Sequence, residues 1–276
     1  MGFIGSVFSP WYAWSGRRNP ADHCCINVAL YGRGGRWTMT DRGEGALRTS
    51  ADALEVGPSR MEWDGTTLTI TVDEISVPHC DRVRGIVRVH PAAIAGKAVA
   101  LHPNGSHVWR PYAPVAAIEV DFDRPGWRWR GSGYFDANFG TRALESDFRR
   151  WTWSRRPLGD GAVCFYDAER RDGTALSTAL RFDSAGGMDA FDPPARLRLP
   201  RSRWAVRRET RGDPGTEAVQ VHGMLDAPFY CRSATRTTVA GQTAVGVHEA
   251  LDLDRFASPW LKPMLALKVP RRRRWR

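Results

Sequence analysis

Apolar and polar positions along this chain alternate with a period of two far more often than they recur every three or four residues. "CINVALYG" (25–32), "RWTMTD" (36–41), "TTLTITVDEI" (66–75), "GIVRVH" (85–90), "VAAIEVDF" (115–122) and "GWRWRGSGYFDA" (126–137) all read as strands. So do "AVCFYDAERR" (162–171), "STALRFD" (177–183), "ARLRLP" (195–200), "RWAVRRET" (203–210), "AVQVHGML" (218–225) and "TAVGVHEAL" (243–251). Turn signals separate them: "WDGT" (63–66), "HPNG" (102–105), "RRDGT" (170–174) and "RGDPG" (211–215). The best amphipathic helix is "RALESDFRRWTW" (142–153). Many short strands at close spacing predict an all-β protein of antiparallel sandwiches or barrels with few short helices. A change from acidic to basic residues around 142–156 marks a boundary between two β halves, 1–145 and 146–276.

Composition narrows the chemistry. The 276 residues include 12 Trp, a density that suits either a packed core or a pocket for a long apolar or cationic guest. Five cysteines, an odd number with no C-x-x-C pair, make no disulfide framework and suit a reducing compartment. The seven His lack ligand spacing, so no metal site is expected. There is no glycine-rich nucleotide motif, so no cofactor is expected either. The start has no secretory pattern, although Gly2 and Ser6 match the loose myristoylation pattern. No stretch approaches ~20 apolar residues. The net charge of +10 is spread along the chain, with its densest run in the tail "PRRRRWR" (270–276). That run suits an anionic membrane surface, a nucleic acid or simply solvent. No nucleic-acid reader motif accompanies it.

Two stretches carry candidate chemistry. In "NGSHVWRPYAP" (104–114), His107 and Trp109 share a strand face, and Pro111 favours the extended backbone before it. In "GSGYFDANFG" (131–140), Tyr134, Asp136 and Asn138 share a face. Each strand offers a proton-handling group beside an aromatic, ~7 Å apart along the strand. The spacing alone also fits a turn or a satisfied hydrogen-bonded pair.

A wider match adds to this. "FSPWYAWSGRRNPADHCCINVALYG" (8–32), "GSHVWRPYAPVAAIEV" (105–120), "GSGYFDANFGTRALESDFRRWTWSR" (131–155) and "VHEALDLDRF" (247–256) together resemble the carotenoid 1,2-hydratase family, of the hydroxyneurosporene synthase type, over nearly the whole chain. The resemblance implies a lipocalin-like fold in two halves, with the H-x-W and Y-x-D motifs in the first. It implies cofactor-free hydration of the terminal C1=C2 bond of acyclic carotenes such as neurosporene and lycopene. It also gives roles to His107, Trp109, Tyr134 and Asp136. Asp136 is then the acid, Trp109 and Tyr134 shelter a cation, and His107 orients water. Glu249 and Asp252 are the next acids to consider. A water-insoluble substrate implies peripheral attachment at the cytoplasmic face of the inner or intracytoplasmic membrane, near other carotenoid enzymes. A non-catalytic lipocalin-like carrier, or a cyclase or pericyclic enzyme on the same scaffold, fits the same features.

Overall fold

The computed structural model describes residues 1–272, so the last four residues of the basic tail lie outside it. Strands dominate, with four α-helices of four to eight residues among the described residues. None of these helices is long and apolar enough to cross a membrane. The chain forms two compact units: residues 1–91, 116–133 and 259 onward in one, and residues 92–115 and 134–258 in the other. The units do not follow chain order as the halves 1–145 and 146–276 would. Two long strands, His107–Arg124 and Trp127–Gly140, each contribute residues to both units. The 107–115 and 134–140 portions, with both motifs, belong to the second unit.

In the first unit, antiparallel strands run in the order Leu47–Thr49, Ala53–Val56, Ser59–Trp63, Leu68–Ile75 and Arg82–Pro91. Residues 116–124 pair with the last of these. Alternation places Val72, Val83, Val120 and Phe122 in its core. A second cluster forms from Cys25, Met39 and Val269, with Phe3, Phe8, Trp11 and Trp37 against it.

The second unit is built on a seven-stranded antiparallel sheet. Its order is Met188–Ala190, Ala175–Phe182, Gly161–Arg170, Phe148–Leu158, Gln242–Asp252, Tyr230–Val239 and Val219–Asp226. The strand Gly161–Arg170 is buried on both faces, hence its nearly unbroken apolar run. Val163 and Phe165 pack with Ala179 and Val239 on one side. The ribbon of Ala195–Leu199 and Arg208–Gly212 is tied to this sheet through Ser154–Thr210 and His248–Glu209 hydrogen bonds.

The all-β, antiparallel fold is as expected, with open sheets and not closed barrels. One edge of the seven-stranded sheet is the three-residue strand Met188–Ala190, and the other, Val219–Asp226, is broken by two register shifts. Neither edge offers the continuous ladder that closure requires. The helix expected over 142–153 shrinks to Leu144–Asp147, and the chain then enters the strand Phe148–Leu158. This strand pairs on both sides. Its aromatic and β-branched residues fit a pleat, and two ladders outweigh the helical spacing of Leu144, Phe148 and Trp151. "RWAVRRET" likewise becomes a strand only from Arg208.

Close approach of backbones fixes one glycine. A Cβ on Gly161 would lie 2.0 Å from the Phe182 carbonyl oxygen, inside the sheet. Gly161→Ala should therefore cost about 1–3 kcal/mol. Thermal unfolding followed by circular dichroism should show a melting temperature lower by several degrees. An unchanged midpoint would mean that the two strands part without cost.

Candidate active site

The H-x-W strand buries every second residue: His107, Trp109, Pro111 and Ala113. That alternation delivers His107 and Trp109 to one face, as their spacing predicts. Trp109 is 1% exposed. Its indole Nε1–H donates to Asp136 Oδ2 at 2.8 Å. The two motifs are thus joined directly. Tyr134, two residues before Asp136, lies against Trp153 with ring centroids 5.0 Å apart. The Arg155 guanidinium sits 5.8 Å from the Tyr134 ring centre.

These side chains meet one face of the seven-stranded sheet. Directly opposed residues of antiparallel strands share a face. The pairs Arg232–Glu249, Glu249–Trp153, Trp153–Tyr166 and Tyr166–Thr178 therefore form one transverse row. Within it, Arg232 donates to Glu249 Oε1 at 2.5 Å and to the Tyr230 hydroxyl at 3.0 Å. The aromatic members continue onto the motif strands. Trp109 is 5.7 Å from Tyr166, which is 5.5 Å from Trp151. The Nε1–H groups of Trp151 and Trp153 are buried and have no acceptor within the described chain.

Asp136 sits among these rings with no cation in hydrogen-bonding contact. Loss of hydration pushes its carboxyl up to about 6, against the opposing effects of the Trp109 hydrogen bond and the Arg232 charge. The negative charge of Glu249 pushes the same way as desolvation. Burial also holds the Tyr134 and Tyr166 phenols well above their usual range, so both stay neutral.

His107 is held differently. Its Nε2 bonds Asp147 Oδ2 at 2.8 Å, and its ring packs edge-on to Phe148 at 5.0 Å. Asp147 accepts from Arg142 at 2.9 Å, and as an acceptor it assigns the imidazole proton to Nε2. Desolvation lowers the His107 pKa, and Asp147 only partly offsets this, so the ring is neutral at pH 7. Nδ1 is then the basic atom. It abuts Gly140, where a Cβ would come within 3.0 Å. Of the four motif residues, the structure joins Trp109 to Asp136 and sets Tyr134 on Trp153, while it binds His107 to Asp147.

Of the two reserve acids, Glu249 belongs to this site. Asp252 instead caps the short helix Leu253–Phe256 by accepting from the Arg255 N–H. Sequence reading passed over Trp153, Tyr166 and Asp147. The alternation in "RRWTWSRR" and the aromatic in "CFYDA" were the available signals.

All of residues 1–276 match the family model described as carotenoid hydratase CrtC. The chain belongs to the carotenoid hydratase CrtC family. Among its relatives is the acyclic carotenoid 1,2-hydratase of Cereibacter sphaeroides, 59% identical over 276 residues, an alignment spanning 100% of this chain and 99% of the relative. The enzyme of the same name from Rhodobacter capsulatus is 53% identical, with 100% and 99% covered. Among solved structures, CghA with Sch210972 superposes with a TM-score of 0.52 at 10% identity, over 85% of this chain and 80% of that one. That likeness is one of fold, and the fold is lipocalin-like. The CrtC chain thus places its H-x-W and Y-x-D motifs on the two strands that meet at Asp136.

Desolvation of a carboxylate with no cation on it has a measurable cost. Asp136→Asn keeps an acceptor for Trp109 and removes the charge. The folded-state pKa lies above the ordinary 3.8. Protonation therefore stabilises the native state, and that contribution is lost as pH rises toward 6. Below pH ~4 the variant and the parent should unfold alike. Above pH ~6 the variant should be more stable by up to ~3 kcal/mol. Denaturant melts across this range test it, and a difference independent of pH would show a well-hydrated carboxyl.

Proposed function

We propose that this CrtC family member hydrates the terminal C1=C2 bond of an acyclic carotene by general acid catalysis, with Asp136 as the proton donor. The observation that carries this reading is a half-buried, desolvated carboxyl, bonded to Trp109 and set among aromatics, whose pKa is raised to about 6. At pH 7 an ordinary Asp carries its proton less than ~0.1% of the time, whereas a group at 6 does so ~10% of the time. The shift supplies roughly 3 kcal/mol toward an otherwise scarce acid.

The reaction is a balanced addition of water. Asp136 transfers its proton to C2, and the alkene π electrons form the new C–H bond. C1 becomes a tertiary cation and Asp136 a carboxylate. The faces of Tyr134, Trp109 and Tyr166, with the new carboxylate, stabilise that cation, each ring by up to ~2 kcal/mol. A water oxygen then bonds to C1. Its surplus proton leaves to His107 Nδ1 or directly to Asp136, which must regain a proton for the next turnover. The unpaired indole N–H of Trp153 is suited to hold this water, because it can donate to the oxygen without removing the second lone pair. No step calls for a nucleotide or a metal.

The deciding experiment incubates purified protein with lycopene or neurosporene in detergent, with chelator and no nucleotide. Products heavier by one water are expected; a strict need for a metal, flavin or nicotinamide would overturn the mechanism. Asp136→Asn should lose turnover by at least ~10³-fold while still folded, since without proton transfer there is no cation. His107→Ala should lose less, because bulk water replaces part of its role. If Asp136→Asn stays active, Glu249 becomes the acid.

Two further readouts follow from the geometry. Turnover should fall with rising pH, about tenfold per unit above pH ~6, as the acid form of Asp136 disappears. Trp153→Phe keeps an aromatic face against Tyr134 and removes the N–H together with the five-membered ring. It should lower kcat by ~10-fold or more with little change in KM. A loss confined to KM would make Trp153 a wall of the pocket only.

A further inference from the structure

The helix Leu261–Lys268 turns an apolar stripe outward. Trp260, Pro263, Met264 and Leu267 follow the i, i+3, i+4, i+7 spacing that defines one helical face. In a helix of a water-soluble domain that face normally turns to the core. Here all four residues are exposed, with Trp260 at 53%, Met264 at 40% and Leu267 at 78%.

The helix is not loosely placed. Leu261 and Val269, one at its start and one just past its end, are each 1% exposed. The Trp11 indole N–H donates to the Val269 carbonyl at 2.6 Å, and that of Trp37 donates to the Lys268 carbonyl at 3.2 Å. The short helix Pro10–Trp14 packs beside it and exposes a further tryptophan, Trp14, at 52%. The core contacts thus hold an apolar stripe outward. Single exposed apolar side chains need no explanation, but a helical face of Trp260, Pro263, Met264 and Leu267 with Trp14 exposed on the neighbouring helix does.

Charge indicates what covers it. Residues 255–276 contain eight Lys and Arg and no Asp or Glu, and residues 8–18 contain two Arg and no acid. Lys268 and Arg18 are exposed on these two segments. Two of them are engaged within the protein: Arg271 turns inward to Asp22, Asp41 and His23, and Arg255 donates to the Pro228 carbonyl and pairs with Asp252. A symmetric dimer through this face would set basic segment against basic segment, which opposes a second copy.

We propose that this face seats on an anionic lipid bilayer. Trp14, Trp260, Met264 and Leu267 enter the headgroup boundary, and the flanking Lys and Arg face lipid phosphates. Apolar insertion with basic flanks is how interfacial helices bind. The proposal places the attachment on a helix whose two ends, Leu261 and Val269, are held in the core. It stands apart from the hydratase reading, since none of these residues touches the Asp136 site.

The test is flotation of the full chain with phosphatidylcholine vesicles, with or without about a third phosphatidylglycerol, and no carotenoid present. Wild type should float with the anionic vesicles, less so at high salt or with phosphatidylcholine alone. The double variant Trp260→Ser/Leu267→Ser should keep its circular dichroism and its turnover of detergent-dispersed substrate. Its partition should fall by about tenfold or more. Leu267→Gln alone, at the most exposed position, should reproduce part of the loss should the double variant misfold. Wild type that stays in solution would overturn the proposal, as would variants that bind like wild type. A variant that changes only the oligomeric state in sedimentation would assign the face to a second copy and also overturn it.

Discussion

A carboxyl group has been taken out of water and given a neutral hydrogen-bond donor instead of a cation. The site depends on that arrangement. The Trp109 indole fixes one oxygen of Asp136 at 2.8 Å. It favours the carboxylate, but less than desolvation disfavours it, and the balance settles at about 6. An arginine in the same place would give a stronger, charge-assisted bond and an acid too weakly protonated to transfer a proton to an alkene. A wholly apolar surrounding would leave the carboxyl unoriented and cost more to bury.

The sheet beneath makes this possible through plain alternation. Trp151, Trp153 and Arg155 leave one face of their strand, while Thr152, Ser154 and Arg156 leave the other. Because the strand is central, its neighbours extend the row to Tyr166 on one side and to Glu249 and Arg232 on the other. Glu249 and Arg232 act on Asp136 in opposite directions. They leave desolvation as the dominant influence on its pKa. A one-residue slip of this strand would exchange the aromatic wall for Thr and Ser.

Much of this could be read from residue order alone. Strands whose two faces differ, such as Leu68–Ile75, declare themselves by period, and so does the Trp109–Asp136 face. Phe148–Leu158 was hidden because a central strand buries both faces, and its Leu144–Phe148–Trp151 spacing imitates a helix. The open sheet edges and the units that cut across chain order were also out of reach. They depend on which strands pair, and the long strands His107–Arg124 and Trp127–Gly140 serve two cores at once. Asp147 escaped notice for a different reason. Its importance comes from a contact with His107 forty residues away in sequence, which no local pattern encodes.

That contact supplies the clearest comparison in the molecule. Asp147 and Asp136 each bond a side chain of the same motif, His107 and Trp109, two residues apart on one strand face. Their environments drive them in opposite directions. Desolvation acts on Asp147 too, but the Arg142 and His107 bonds override it and hold the carboxyl below its ordinary value. Asp136 lacks such a cation and moves up instead. One carboxylate therefore stays charged and fixes an imidazole tautomer, while the other is able to carry a proton near neutrality. Pairs of titratable groups separated in this way mark a division between holding and transferring a proton. Here that division is set by which carboxylate receives an arginine.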